Sequence, residues 1–147
     1  MEERLWFACQ DGEVEEVRKL LQDPQLNVNW QYYGWTPFWI ACFEGHIEIV
    51  ELLLNNDRVD VNKANKHDET PFYIACENGK IEIAKLLNGN KRVDTNGLAP
   101  FLIACMLGKI EDVKLLLNDE KVDTNQVLNF GKTPFYIACE NGLIEIV

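Results

Sequence analysis

The chain contains no serine, which removes every hydrolase scheme built on a serine nucleophile. Histidine is nearly as scarce, with only His46 and His67. His67 has no second histidine or cysteine at ligand spacing, and neither a Cys-x-x-Cys nor a glycine-rich phosphate loop occurs. Positive charge is short: 14 Lys and Arg face 24 Asp and Glu, a net charge of −10. Affinity for phosphate backbones comes from a basic stripe, so no nucleic-acid partner is expected. Long apolar runs and a secretory signal are lacking too, so no membrane insertion is expected and the expected setting is cytoplasmic. No catalytic residue, cofactor or metal site is expected, and the acidic residues read as solvated outer helix faces.

What is present is periodic. Hydrophobic residues make up 47% of the chain, ample for a core, and the dipeptide Ala-Cys recurs at 8–9, 41–42, 75–76, 104–105 and 138–139. A glycine follows three residues later each time, at 12, 45, 79, 108 and 142. Four steps of 33, 34, 29 and 34 residues have the period of a helical solenoid. Within the copy from Thr70 to Leu87, Thr70 reads as an N-cap, with Pro71 at the first helical position, where its missing N–H costs nothing. Gly79 reads as the stop, because glycine takes the left-handed conformation without strain. A second helix follows, with Ile81, Ile83, Ala84, Leu86 and Leu87 facing inward and Glu82 and Lys85 sharing the wet face. Two helices of about two turns each bury too little apolar surface alone, so the hairpins must stack and share one core. All five cysteines hold one position of this stack. Packed helices lie roughly 8–10 Å apart, beyond disulfide reach, so reduced, buried thiols are expected.

The motifs TPFWIA at 36–41, TPFYIA at 70–75 and 133–138, G-x-I-E-[IV] and V-D-x-N resemble the ankyrin repeat across essentially the whole chain. The resemblance implies an all-α fold, an ankyrin-repeat solenoid of stacked helix-turn-helix units with short β-hairpin fingers. One domain over 1–147 is expected, with repeats near 1–30, 31–64, 65–96, 97–127 and 128–147, the last incomplete. Two departures stand out. The family's Leu-His after Thr-Pro is Phe38-Trp39, Phe72-Tyr73, Phe101-Leu102 or Phe135-Tyr136, leaving open what replaces the backbone hydrogen bonds of that histidine. The turn after the second helix carries one extra residue, as in 55–59, NNDRV.

In the family, finger tips and the last turn of each first helix usually contact a partner protein on the concave face. Carried over, those positions are Tyr32, Tyr33 and Trp35 with Phe43 and Glu44 in the second repeat, and Lys66, His67 and Glu69 with Glu77 and Asn78 in the third. The fifth repeat offers Asn129, Phe130 and Lys132 with Glu140 and Asn141. The aromatic group from 30 to 43 has no obvious core to enter, and exposed Trp and Tyr dominate binding hot spots; rings packed on one another as scaffold are the alternative. His46 reads as structural. Between the third and fourth repeats five finger residues are absent, Ala99 replaces the capping threonine, and Met106 and Leu107 form an apolar helix tip. These describe either a notch with an apolar floor or local divergence.

The expected function is a non-catalytic scaffold that binds an unidentified protein on its concave face. The alternatives are a structural spacer within a longer ankyrin array, or a regulatory domain of a larger enzyme or channel. The fifth copy breaks off midway through its second helix, so a fragment with a weak C-terminal end and end-to-end self-association is also expected.

Overall fold

The computed structural model describes residues 1–95. They form three helical hairpins: α1 (Glu2–Asp11) with α2 (Val14–Leu20), α3 (Pro37–Glu44) with α4 (Ile47–Leu54), and α5 (Pro71–Glu77) with α6 (Ile81–Asn88). Expectations on Ala99, Met106, Leu107, Phe130 and the fourth and fifth repeats lie outside the described residues.

Local chemistry sets the helix ends. Thr36 Oγ1 accepts the Trp39 N–H and Thr70 Oγ1 accepts the Tyr73 N–H, each at 3.1 Å, with proline next in line. Each such cap contributes about 0.5–2 kcal/mol. The stops are equally regular. Gly12, Gly45 and Gly79 have φ of 78°, 87° and 68°, and the following residue donates its N–H back to Ala8, Ala41 or Ala75. That pattern satisfies a carbonyl the helix leaves without a partner.

The first helices form one layer, α1 against α3 against α5, and the second helices form another, α2 against α4 against α6. The first-helix layer is the more closely packed. The Ala-Cys pairs permit this approach. Cys9, Ala41, Cys42, Ala75 and Cys76 have no exposed surface, and they belong to one continuous core with Leu5, Phe38, Ile49, Leu53, Ile83 and Leu87. Cys9, Cys42 and Cys76 are free thiols. On the wet face Lys85 pairs with Glu82 at 4.0 Å, and Arg18 reaches Glu15 at 3.5 Å and Glu48 at 3.6 Å.

Side chains that reach backbone one repeat away lock the hairpins together. The Arg58 guanidinium donates to the carbonyls of Leu21 at 2.7 Å and Asp23 at 3.0 Å, at the open end of α2. Arg92 does the same for Leu54, the last residue of α4, and Val59 beyond it, both at 2.6 Å. Asn29 donates to the Arg58 carbonyl at 2.8 Å and accepts the Asp60 N–H at 2.7 Å. Asn62 repeats both bonds with Arg92 and Asp94, each at 2.8 Å. The turn with its extra residue is therefore the element that carries the arginine.

Candidate functional site

The finger that opens the second repeat is a two-residue turn. Tyr32 and Trp35 exchange both backbone hydrogen bonds at 3.0 Å, the single bridge among the described residues. Tyr33 and Gly34 between them have φ of 50° and 92°, the signature of a type I′ turn. Such turns favour Asn-Gly, and a tyrosine held at positive φ is strained by roughly 1–2 kcal/mol. The turn throws Tyr33 outward to 73% exposure, the most exposed large hydrophobic residue described.

The rings expected to stand free divide into two groups. Tyr32 is half-buried against the core and meets Trp6, Phe7, Trp30 and Tyr33 with centroids 4.8, 5.3, 6.0 and 4.7 Å away. Trp35, also half-buried, lies 5.8 Å from Trp39 at an interplanar angle of 19°, and Trp39 lies 5.4 Å from Phe43 at 12°. Those three rings form one near-parallel column. Phe43 at its end is 37% exposed. Tyr32 and Trp35 thus do have a core to enter, while Tyr33 and Phe43 present their rings to solvent.

The family's histidine position has a different solution here. Trp6 donates its indole N–H to the Trp35 carbonyl, and Trp39 donates to the Glu69 carbonyl, both at 2.9 Å. The first helices α1 and α3 each thereby grip the next finger. His46 lies at the next joint, with Nε2 2.8 Å from the Gln10 carbonyl and its ring over Gly12. Lys80 lies over Gly45 in the same register.

In the third repeat Lys66 and His67 are exposed on the finger. Glu69 is not: its carboxylate accepts from Asn65 Nδ2 at 2.6 Å and its N–H donates to Asn65 Oδ1 at 3.0 Å, closing the finger from within. On the helix ends Glu44 is exposed and Glu77 half-buried. Repeat register places Gln10, Phe43 and Glu77 in one row across the first-helix layer, and Asp11, Glu44 and Asn78 in the next.

Sequence reasoning missed Arg58, Arg92, Asn29 and Asn62. The available signal was an arginine and an asparagine recurring at the repeat spacing in turns otherwise read as plain connectors.

Among the described residues no helix is long and apolar enough to cross a membrane. A family model described as ankyrin repeats in three copies matches residues 5–96 and 86–147. No curated protein matches the chain.

Proposed function

Because the chain belongs to the ankyrin-repeat family, whose repeats are generally protein–protein interaction modules, we propose that it is a non-catalytic cytoplasmic scaffold binding a partner protein on its concave face. The contact surface centres on Tyr33 and Phe43, with Tyr32, Trp35, Glu44, His67 and Glu77 around them. Met106, Leu107 and Phe130 would extend it along the array. One observation carries this reading: Tyr33 stands 73% exposed in a strained left-handed turn. A hydrophobic ring kept at the apex of a strained turn gains the fold little, and strained positions cluster where a surface is used.

The test begins with proximity labelling on the intact chain to supply a partner. Tyr33→Ala should then weaken its binding by about 2 kcal/mol or more, as loss of an interface anchor does, with the thermal midpoint unchanged. The packing of Tyr32 and Trp35 supports the second reading, a spacer within a longer array, and unchanged affinity in Tyr33→Ala and Phe43→Ala would favour it.

A further inference from the structure

The column Trp35, Trp39, Phe43 is built as a stack and ends in solvent. Trp39 covers one side of Phe43, and the ring remains 37% exposed. An aromatic face carries negative partial charge, and a planar cation can extend a stack of planes. The charges around this ring have one dominant sign. Glu44 follows Phe43 on α3 and is exposed, and Asp11, exposed at the equivalent place on α1, lies one repeat away. Among the described residues neither carboxylate has a salt-bridge partner within 4.0 Å. The nearby cation is Lys80, whose Nζ and the end of its stem lie over Gly45 beyond the helix end, more than 4.0 Å from the Glu44 carboxylate.

We infer that the open face of Phe43 receives an arginine side chain of the partner protein, the guanidinium lying parallel to the ring and donating to Glu44. Charge complementarity selects this occupant. An aliphatic side chain would cover the ring but strip water from Glu44 without supplying a donor, which is costly. Lysine would supply charge, but as a compact, strongly hydrated ammonium that cannot stack. Arginine has the plane, the weaker hydration and the forked donors that fit a ring beside a carboxylate. The chain's net charge of −10 favours the encounter of a basic segment over long range.

This inference rests on the concave-face reading, and the experiment separates the two. A random peptide library displayed on phage is selected on the intact chain. The dominant peptide is then synthesised with each arginine in turn unchanged, replaced by lysine, or replaced by citrulline, which keeps the shape and loses the charge. Affinities are read from tryptophan fluorescence. The expected result is an arginine whose citrulline form binds about tenfold more weakly, with lysine in between. In Glu44→Gln, a change at an exposed position, and in Phe43→Ala, that difference should shrink to less than about threefold. Tyr33→Ala should weaken all forms alike. Peptides that Tyr33→Ala weakens but whose citrulline forms bind unchanged would overturn the arginine and leave the concave face standing. A selection yielding no peptide sensitive to Tyr33→Ala or Phe43→Ala would overturn both.

Discussion

Trp39 donates its indole N–H to the backbone carbonyl of Glu69 at 2.9 Å, and both partners are buried. A tryptophan on a first helix, at the position where the family usually has histidine, thus ties the helix to the finger of the next repeat. The same bond joins Trp6 to Trp35. Trp39→Phe should retain most of the ring packing and leave the Glu69 carbonyl without its donor. The expected loss is about 1–3 kcal/mol, the cost of an unsatisfied buried group, measured by urea denaturation.

Arg58 and Arg92 should differ in weight although their bonds are alike. Arg92 is half-buried and Arg58 exposed, so water competes less for the carbonyls that Arg92 serves. Arg92→Ala is expected to lose about 1.5–3 kcal/mol, and Arg58→Ala clearly less. Arg92→Lys should not restore the loss, because two guanidinium nitrogens, Nη1 and Nη2, serve Leu54 and Val59 separately, and lysine has a single nitrogen. Full rescue by lysine would show that charge near the helix end suffices.

Two glycines at the same repeat position separate conformational strain from crowding. Among the described residues a Cβ at Gly79 meets nothing within 4 Å, whereas at Gly12 it would lie 2.8 Å from His46 Cε1. Gly79→Ala should cost about 1–2 kcal/mol from its left-handed backbone, and Gly79→Val more, since a β-branched residue tolerates positive φ poorly. Gly12→Ala should exceed Gly79→Ala, because His46 must move off the Gln10 carbonyl. Equal losses in the two alanine variants would mean that His46 yields at no cost.

Burial pushes the Cys76 thiol up to about 12 from an ordinary 9.0, and Cys9 and Cys42 upward by the same cause. In the unfolded chain these thiols ionise near pH 9 while the folded state keeps them protonated. Folding stability from this source is thus fully present below about pH 9 and is lost as pH rises toward 12. Denaturation midpoints should fall across that window, and less steeply when Cys76 is replaced by alanine. In native protein at pH 8 Cys9, Cys42 and Cys76 should resist a thiol reagent. Denatured without reductant, the chain should titrate five.

Tyr33→Asn creates the Asn-Gly pair that a type I′ turn prefers. It should raise stability by up to about 1 kcal/mol by relieving the left-handed tyrosine, while weakening partner binding as Tyr33→Ala does. Stability and binding moving in opposite directions in one variant would mark Tyr33 as a residue held against the interest of the fold. A variant destabilised by the change would instead mark the Tyr32 contact as structural.

Much of this was legible in the residues. Thr36 and Thr70 cap, Gly12, Gly45 and Gly79 stop, and Ala-Cys lines the closest helix contact, because each depends on chain neighbours or on the repeat period. The fate of the finger aromatics was less legible. Tyr32 and Trp35 turn inward and Tyr33 outward because a two-residue turn alternates sides, and nothing in NWQYYGW fixes that turn before Gly34 is known to have positive φ. Glu69 looked like a finger-tip contact, yet Asn65 captures it, a pairing that only the closed finger creates. The arginine and asparagine interlocks were hidden because their partners are backbone carbonyls and amides, which carry no residue signature.

The interlocks also give the array an order in time. Arg58 serves a carbonyl 37 residues earlier, so as the chain leaves the ribosome α2 emerges with its last carbonyls still hydrated and waits more than a full repeat for its closing side chain. The first and second hairpins are thus each finished by the turn made one repeat later, and until it emerges the newest of them is the least settled part of the nascent chain. Arrest within the turn that carries Arg58 or Arg92 would hold the newest hairpin apart from its predecessor, and a pause just beyond it would let the joint set before the next begins.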